Sequence, residues 1–484
     1  MRGIHWFRSD LRLRDNPALE LLADRADAWL GVFVVDPEIL ARHPESAART
    51  RFLLDCVASL AADLDTRGVA LQVLEGRPER VLAELAAETR CAFVSYNRAV
   101  TPMGRRRDAR VDAALHRRGV ESIVADDRTV FGADEIRTRT GGAFSVYTPY
   151  RRAWWSAWHA APRLASSRLR LPKQAIALRA GAMRGVPEIA ASRAKRSSAR
   201  ANVADDPMLS HGPKPGEAAA RRRLVQFLSD AAGRYATDRD RPGIDGTSRL
   251  SAHLRFGTIS ARECITRGLA VAQSDPSQAA GIRKWLDELV WREFYYAVLA
   301  TSPHVLTRNF RPEWDRLEWN DDESGFRAWT EGRTGYPFVD AGMRQLAATG
   351  WMHNRARMVV ASFLSKHLLI DWRRGERHFA RALVDWDPAS NNGGWQWAAS
   401  TGCDAQPYFR IFNPVLQGRR FDPDGTYVRR WVPELQGLPA SRIHTPWLKG
   451  PVPDGYPTPI VDHAKARVRA LAVFRAARGG ARPR

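Results

Sequence analysis

The sequence predicts two domains: an N-terminal α/β domain with a Rossmann-like parallel sheet, and an all-α C-terminal domain. Three observations predict this fold class. Short apolar segments alternate with helical patterns in the N-terminal part, strand patterns disappear after Gly216, and 484 residues are too many for one ordinary hydrophobic core. We therefore expect an α/β domain over residues 1–131, a linker over 132–215 and a helical domain over 216–484.

Five apolar segments in the N-terminal part predict buried strands because each is short and has polar flanks. They are residues 4–7, 30–35, 70–74, 92–96 and 122–125. Helical patterns at 51–67 and 78–89 lie between them, and this alternation predicts βαβ units and a parallel sheet. Neither G-x-G-x-x-G nor G-x-x-x-x-G-K-[ST] occurs, so no nucleotide fingerprint identifies the ligand of this sheet.

Residues 163–206 differ in composition from the rest of the chain. They are rich in Arg, Ala and Ser, and Glu188 is their only acidic residue before Asp205. This composition predicts a linker that crosses from one domain to the next. Contact of its basic side chains with DNA is the alternative interpretation.

Helical periodicity dominates the chain after Gly216. It covers residues 217–232, 283–299, 338–348 and 352–369. Pro337 suits the first turn of a helix and Gly350 suits a helix end. The whole C-terminal part is therefore predicted to be helical.

The charge balance predicts a polyanionic partner. The chain has 75 Lys+Arg against 53 Asp+Glu, a net charge of +22, which favours nucleic acid first and an anionic membrane surface second. A solubilising charge excess without a partner is the third interpretation. No run of about 18 apolar residues occurs, and the charged N-terminus MRGIHWFRSD does not read as a signal peptide.

The cysteines indicate the compartment. Cys56, Cys91, Cys264 and Cys403 lie far apart with no C-x-x-C spacing, which is typical of a reduced cytoplasm and argues against a metal site or a disulfide framework. We therefore expect a cytoplasmic protein without a structural metal. Tryptophan is abundant, with 17 residues, so some indoles are expected to do more than pack.

Four stretches of the helical part carry candidate binding residues. In GTSRLSAHLRFGTISAR, the donors around Thr247 and Ser248 suit a phosphate, or they cap a helix. In WLDELVWREFYYAVL and WMHNRARM, polar and aromatic residues share helix faces that suit a base or a flavin ring edge, or ordinary surface contacts. In NNGGWQWAAS, two indoles follow two glycines, which can end one helix and begin another, and the indoles can simply fill a core.

Together these stretches resemble the motifs of the photolyase/cryptochrome flavoproteins, in that family's order. The matching segments are RSDLRLRDNPAL, DGTSRLSAHLRFGTIS, LVWREFYY, TGYPFVDAGMRQLAATGWMHNRARM, DWRRGERHF and NNGGWQWAASTGCDAQPYFRIFNP. The resemblance covers nearly the whole chain except the linker and the C-terminal tail, and is closest to class I cyclobutane pyrimidine dimer photolyases. It implies an antenna chromophore on the α/β domain and a helical FAD-binding domain. It also implies light-driven electron transfer from reduced FAD that splits cyclobutane dimers in UV-damaged DNA, with a flipped dimer as substrate.

The resemblance implies a role for each matching residue. The matches to FAD-binding positions are Tyr235, Thr247, Ser248, Arg249, Leu250, Ser251, Trp285, Arg292, Arg357, Asp385, Trp386, Asp387 and Asn391. The matches to DNA-facing or dimer-contacting positions are Arg239, Glu288, Trp291, Tyr295, Asn354, Arg355, Met358, Trp397, Arg410 and Gln417. Asn391 matches the residue facing flavin N5, and Trp395, Trp372 and Trp319 match the indole chain that passes electrons to photoexcited oxidised flavin.

Two other activities occur within this family, and individual residues of this chain argue against each of them. Enzymes for (6-4) photoproducts carry histidines on the helix corresponding to Asn354 and Met358, and this chain has neither. A cryptochrome-type blue-light photoreceptor without repair is the main rival. The short basic tail ALAVFRAARGGARPR and the intact dimer-contacting residues favour repair, by a protein expected to be a monomer.

The antenna chromophore is inferred from a short segment of the α/β domain. Met103 and Gly104 stand where folate-binding members carry an Asn-Glu pair, so folate is not expected. The segment resembles that of members that bind 8-hydroxy-5-deazaflavin. We expect that chromophore, with an empty antenna site or another flavin-like pigment as the alternatives, and with Asp36, Arg51 and Arg105 as contacts.

Overall fold

The computed structural model describes residues 1–42, 46–166, 171–172, 174–176, 212–448 and 450–479. Its strands are β1 (Arg2–Phe7), β2 (Ala28–Val35), β3 (Gln72–Glu75), β4 (Phe93–Asn97), β5 (Glu121–Ala125) and β6 (Gln174–Ala175). The helices up to residue 160 are α1 (Pro17–Arg25), α2 (Pro37–Arg42), α3 (Ala47–Asp65), α4 (Pro78–Thr89), α5 (Pro102–His116) and α6 (Tyr147–Ala160).

Every regular element described after residue 212 is helical. These helices are α7 (Glu217–Asp230), α8 (Tyr235–Asp238), α9 (Ser251–Phe256), α10 (Ala261–Ser274), α11 (Ala279–Thr301), α12 (Glu323–Thr330), α13 (Pro337–Thr349), α14 (Asn354–Ser362), α15 (Trp372–Ala382), α16 (Pro388–Ala399), α17 (Pro414–Phe421), α18 (Thr426–Trp431), α19 (Ala440–Ile443) and α20 (His463–Gly479). Single 3₁₀ turns cover Ala232–Arg234, Pro276–Gln278, Pro303–Leu306, Pro312–Arg316 and Pro433–Leu435, and Phe363–His367 forms a π-helical turn.

The sheet is parallel with the order β3-β2-β1-β4-β5, and β6 adds to β2. This is a doubly wound order that reverses between β1 and β4, the usual place for a ligand crevice. Arg8, directly after β1, forms an ion pair with Asp108 of α5 and lies 4.4 Å above the Trp6 ring and 4.9 Å above the Tyr96 ring. The predicted Rossmann-like sheet is confirmed, and side chains of the protein occupy its switch point.

The predicted linker over 132–215 needs a correction because it contains regular structure. Tyr147, Tyr150, Trp154 and Trp158 of α6 are buried in the same hydrophobic core as α7. Their spacing of three to four residues places them on one face of a helix, and this signal was missed. Residues 177–211, most of the segment with linker composition, lie outside the described residues.

The predicted helix ends in the C-terminal domain agree with the structure. Pro337 is the first residue of α13, and Gly350 follows the helix with φ = 63°, in the left-handed region that glycine tolerates. The pattern at 352–369 forms α14 and the π-helical turn, and the His353 side chain caps α14 by accepting from the N–H of Arg355. Two hydrophobic cores hold this domain together, one around α11 and one around α13 to α16.

Buried charges join the two domains. Asp127, after β5, accepts from Arg12 of the N-terminal domain and from Nη2 of Arg262 on α10 at 2.6 Å. Arg262 also pairs with Asp15 at 3.1 Å. Burial alone would raise the pKa of Asp127, but the charges of Arg12 and Arg262 outweigh it and hold that pKa well below its usual value.

Candidate functional site

A cavity of about 400 Å³ opens between the helices of the C-terminal domain. Its walls come from α11, α14, α15, α16 and the segment between α15 and α16, with Arg239 from the end of α8. It brings together fourteen of the residues predicted from the sequence: Arg239, Glu288, Trp291, Arg292, Tyr295, Asn354, Arg357, Met358, Asp385, Trp386, Asp387, Asn391, Trp395 and Trp397.

Helical spacing places the α11 residues on this wall. Glu288, Trp291, Arg292 and Tyr295 stand at positions i, i+3, i+4 and i+7, which share one helix face. The opposite face of α11 is buried in the core. One face of this helix therefore stabilises the domain while the other presents a carboxylate, an indole, a guanidinium and a phenol to the cavity.

The two glycines of NNGGWQWAAS lie inside α16, so the interpretation that they end one helix and begin another is wrong. Asp387 caps the helix by accepting from the N–H groups of Ala389 and Ser390, and α16 continues without a break to Ala399. One uninterrupted helix therefore carries Asn391, Trp395 and Trp397 to the cavity wall.

Gly393 and Gly394 have different environments although they are adjacent. A Cβ on Gly393 would lie 2.1 Å from the Tyr295 ring, so α16 and α11 pack closely there. A Cβ on Gly394 would meet nothing within 4 Å, and Gly394 lines the cavity. Only the second glycine leaves room for a bound ring.

Charged groups in and beside the cavity are already paired. Arg239 donates to Glu288, and Nη2 of Arg357 donates to Asp385 at 2.8 Å. Asp387 accepts from the hydroxyl of Tyr296. Burial alone would raise the pKa of Asp387, but the charges of Arg128, Arg255 and Arg292 hold it below its usual value.

Asn391 has a fixed hydrogen bond to a residue that the sequence did not predict. Its Nδ2 donates to Oε1 of Glu376 on α15 at 2.8 Å. Burial raises the pKa of Glu376, although hydrogen bonds from Asn391 and the Trp386 indole lower it in part. Because the amide nitrogen is used, the amide oxygen of Asn391 is its free polar atom for a ligand. A polar residue one turn after Trp372 was the only sequence signal for Glu376.

The three indoles of the predicted electron chain have different surroundings. Trp395 and Trp372 are buried in one hydrophobic core, while Trp319 is half-buried and packs against its edge. Trp372 donates to Oδ1 of Asn309 at 2.9 Å, whereas the Trp395 N–H has no acceptor among the described residues. Trp329, which the sequence did not single out, has its ring centroid 6.0 Å from that of Trp395.

The predicted DNA-facing residues divide between the cavity and the surface. Trp291 stacks on Tyr147 of α6 at 3.6 Å between ring centroids, which fixes the orientation of its indole. Arg355 pairs with Asp240 at 2.8 Å beyond the cavity wall. Arg410 is exposed and Gln417 half-buried, and neither lines the cavity.

The remaining predicted FAD-binding residues lie outside the cavity. Tyr235, Thr247, Ser248, Arg249, Leu250, Ser251 and Trp285 do not line the cavity. Tyr235 and Trp285 are buried around Phe227, and Arg249 has a positive φ of 51° and pairs with Asp245 at 2.9 Å. Thr247 and Ser248 are half-buried, in an irregular loop rich in hydroxyl and N–H donors. Donors of this kind fit the phosphates of a dinucleotide.

The three predicted antenna contacts are not joined by any contact among the described residues. Asp36 is buried after β2, where burial raises its pKa, and it accepts from the N–H of Glu38 at 3.0 Å. Arg51 pairs with Asp55 on the surface of α3, and Arg105 is exposed. No prediction from the sequence pointed to Arg107, which lies two residues after Arg105 in the chain. Burial lowers the pKa of Arg107 to about 10, and its Nε has no partner among the described residues.

The structure describes no helix long and apolar enough to cross a membrane. Two family models match the chain: "DNA photolyase" over residues 3–167 and "FAD binding domain of DNA photolyase" over residues 285–476. A deoxyribodipyrimidine photo-lyase of Escherichia coli is 39% identical, over 98% of this chain and 98% of its own.

Two solved structures have the same fold over nearly their whole length. The class III photolyase of Agrobacterium tumefaciens has a TM-score of 0.89 at 37% identity, covering 99% of this chain and 98% of its own. The cryptochrome of Synechocystis sp. PCC6803 has a TM-score of 0.83 at 28% identity, covering 98% of this chain and 99% of its own.

The α/β domain, the helical domain and the cavity between α11 and α16 define the class of two-domain flavoproteins whose helical domain takes FAD. The chain belongs to the DNA photolyase family. Its cofactor is FAD, and the unpaired donors of the 245–250 loop together with the open space beside Gly394 fit a dinucleotide with a ring system.

Proposed function

We propose that this protein repairs cyclobutane pyrimidine dimers in UV-damaged DNA with light. The observation that carries the proposal is the single cavity with two kinds of wall. Asn391 and Gly394 offer an amide oxygen and open space for a flavin ring, while Glu288, Trp291 and Trp397 offer a carboxylate and two indoles for the two linked bases of a pyrimidine dimer.

The chemistry that reduced FAD supplies when bound is donation of an electron to the dimer on excitation and acceptance of that electron after the ring has split. The residues of this chain position the two reactants. The Asn391 oxygen would accept a hydrogen bond from the flavin, because the Asn391 nitrogen already donates to Glu376. The amide is neutral, so it would add no negative charge beside the reduced flavin. Asp385 and Arg357 hold each other beside that edge.

Recognition of the dimer uses aromatic stacking in the cavity. Trp291 is held rigid by the Tyr147 ring behind it, and Trp397 stands on α16 in the same cavity. Stacking on indoles contributes about 1–3 kcal/mol per base and offsets the cost of flipping the dimer out of the duplex. Glu288 and Asn354 supply the polar contacts to the base edges.

Affinity for the rest of the DNA comes from charge. The net charge of +22 and the exposed Arg410 suit phosphate contacts that weaken steeply with salt. Arg239 and Arg355 are paired with Glu288 and Asp240, so phosphate binding by these arginines competes with the two ion pairs. Gln417, which is half-buried, is a further candidate for a polar contact with the DNA.

Reactivation of oxidised flavin uses the indole chain from Trp395 through Trp372 to Trp319. The first two indoles are buried in one core and the third reaches its edge, an order that leads from the cavity toward solvent. The loop from Thr247 to Ser251 would hold the phosphate half of FAD, and Leu250 of this loop belongs to the same hydrophobic core as Tyr235 and Trp285.

A blue-light photoreceptor is the second candidate because the Synechocystis cryptochrome has the same fold. Repair is favoured because Glu288, Trp291, Asn354, Met358 and Trp397 all reach the cavity. The further assignments to class I, to a monomer, to the cytoplasm and to an antenna of the 8-hydroxy-5-deazaflavin type at Asp36, Arg51 and Arg105 belong to the same proposal.

The decisive experiment is repair under defined light. The purified protein is reduced chemically in the dark, mixed with an oligonucleotide that contains a thymine dimer, and illuminated with blue light while thymine absorbance is followed. We expect recovery that needs light and is absent with a (6-4) lesion. No recovery with bound, reduced FAD would contradict repair and support the photoreceptor.

A further inference from the structure

The loop of residues 245–250 has an unusual number of free hydrogen-bond donors. Among the described residues, none of its backbone N–H groups donates to an acceptor, and the hydroxyls of Thr247 and Ser248 have no partner. Backbone N–H groups left without a partner are costly unless water or a ligand takes them. A segment of this kind is therefore prepared for an anion.

The opposite side of the loop is occupied by one arginine of α7. Arg223 donates through Nη2 to the carbonyl of Thr247 at 2.7 Å and through Nε to the carbonyl of Ser248 at 3.0 Å. Its two terminal nitrogens also reach the Asp245 carboxylate at 3.1 and 3.0 Å. The guanidinium thus uses its planar fork to hold three acceptors of one loop.

These contacts determine where the free N–H groups point. In a trans peptide the carbonyl and the following N–H lie on opposite sides of the peptide plane. Because the carbonyls of Thr247 and Ser248 face Arg223, the N–H groups of Ser248 and Arg249 face away from it. Arg223 therefore determines the direction of the donors without contacting the ligand.

The loop also carries an excess of positive charge. The Asp245 carboxylate is shared by Arg223 and by Arg249, whose Nε lies 2.9 Å from it. Burial lowers the pKa of Arg249, and the charges of Arg223 and Arg430 lower it further. The charge of Asp245 raises that pKa but does not outweigh these effects. Two guanidinium groups thus share one carboxylate, and the charge of a third, Arg430, acts on Arg249, which suits a doubly charged ligand.

We propose that Arg223 is a positioning residue for FAD, which holds the 245–248 loop so that its N–H groups face the two phosphates of the cofactor. This inference rests on the proposed function, which assigns the phosphates to this loop. The ligand chemistry is a diphosphate, because two successive N–H groups face the side away from Arg223 and the same loop carries the unpartnered hydroxyls of Thr247 and Ser248.

The test compares two substitutions of Arg223 with one of its neighbour. Arg223→Lys keeps the charge and loses the fork, Arg223→Gln loses both, and Arg222→Gln removes an exposed charge from the same helix. We expect the Kd for FAD to rise about tenfold in both Arg223 variants, since charge-assisted hydrogen bonds are lost, and to stay unchanged in Arg222→Gln. The phosphorus-31 resonances of bound FAD should shift in Arg223→Lys while the flavin absorption bands stay in place.

Three outcomes decide the matter. Wild-type affinity and phosphorus spectrum in Arg223→Lys would overturn the inference, as would an equal loss of affinity in Arg222→Gln. If Arg249→Gln leaves the affinity for FAD unchanged, the assignment of the phosphates to this loop fails as well. Thermal unfolding of each apoprotein separates loss of the fold from loss of the donors, and Arg223→Lys is the variant to rely on if Arg223→Gln does not fold.

Discussion

Trp395 is the residue where the cavity meets the hydrophobic core. Its indole lines the cavity, packs edge-on against Phe379 at 5.0 Å between ring centroids, and donates no hydrogen bond among the described residues. Indole is among the side chains that are most easily oxidised. This position suits an electron donor to a ring in the cavity more than it suits a structural contact.

Replacement of Trp395 by Phe should therefore separate two light reactions. We expect photoreduction of oxidised FAD to become much slower in Trp395→Phe, while repair by chemically reduced enzyme stays near the wild-type rate. Absorbance of the flavin under illumination measures the first and dimer repair the second. Trp329→Phe is the control, because Trp329 is the other indole near Trp395. An equal loss of photoreduction in that control would move the electron route to Trp329.

The carboxyl of Glu376, which accepts a hydrogen bond from Asn391, is expected to lower the free energy of unfolding when it is ionised. Burial raises the pKa of this carboxyl, so the folded protein binds its proton more tightly than the unfolded chain does. Between the unfolded and the raised folded pKa, the folded state binds more protons, and the free energy of unfolding therefore falls as the pH rises. We expect Glu376→Gln to lose this dependence and to gain stability relative to wild type as the pH rises above the unfolded carboxyl pKa. Denaturant unfolding of both apoproteins at pH values on both sides of that pKa measures the difference; parallel curves would contradict a raised pKa.

At the scale of elements, α16 is a helix with two different sides. Gly393 allows it to approach Tyr295 of α11, and Gly394 faces the cavity. The sequence alone suggested that the two glycines end one helix and begin another. Packing divides their roles, because neighbouring residues on a helix point about 100° apart.

Alanine substitutions should separate these two roles. Gly393→Ala is expected to lower the free energy of unfolding of the apoprotein by roughly 1–3 kcal/mol, because its methyl group collides with the Tyr295 ring. Gly394→Ala should leave that stability unchanged or raise it by up to about 1 kcal/mol, since helix propensity improves. Its added methyl enters the cavity and should weaken FAD binding. Denaturant unfolding and FAD titration measure the two effects, and equal destabilisation by both variants would contradict this division.

At the scale of the whole molecule, the buried charges around Asp127 hold the two domains together. Asp127 accepts from Arg12 and Arg262, and removing it leaves both guanidinium groups buried with fewer partners. We expect Asp127→Ala to lower the free energy of unfolding by about 3–5 kcal/mol at pH 7. Because the pKa of Asp127 is lowered in the folded state, its contribution is present above the unfolded carboxyl pKa. That contribution is lost as the pH falls through the folded pKa.

The neighbouring residue supplies the control for this prediction. Asp126 forms an ion pair with Arg98 at 3.4 Å, in which both side chains are more than half exposed, at 54% and 56%. Exposed ion pairs contribute only about 0–1 kcal/mol, so Asp126→Ala should change stability little. Denaturant unfolding at several pH values compares the two variants. A small effect of Asp127→Ala would show that the domains are held together by apolar contacts instead.

The sequence by itself predicted the fold class and the helix ends at Pro337 and Gly350, and its resemblance to the photolyase/cryptochrome family pointed to fourteen residues that line the cavity. These features depend on local spacing, because an apolar period of two or 3.6 residues indicates a strand or a helix face, and a motif keeps its residues in order. For the same reason the spacing of the four aromatic residues of α6 could have predicted this helix, although the predicted linker over 132–215 includes it.

Only the tertiary structure decided which partners these residues have. Glu376 meets Asn391 across two helices, Arg223 reaches a loop more than twenty residues away, and Gly393 differs from its neighbour through the Tyr295 ring of α11. Periodicity places a side chain on a face of its own helix, but a hydrogen bond or a close contact depends on what the rest of the chain brings to that face. The chemistry of the cavity was therefore visible in the sequence, while the contacts that orient it arise from packing between distant segments.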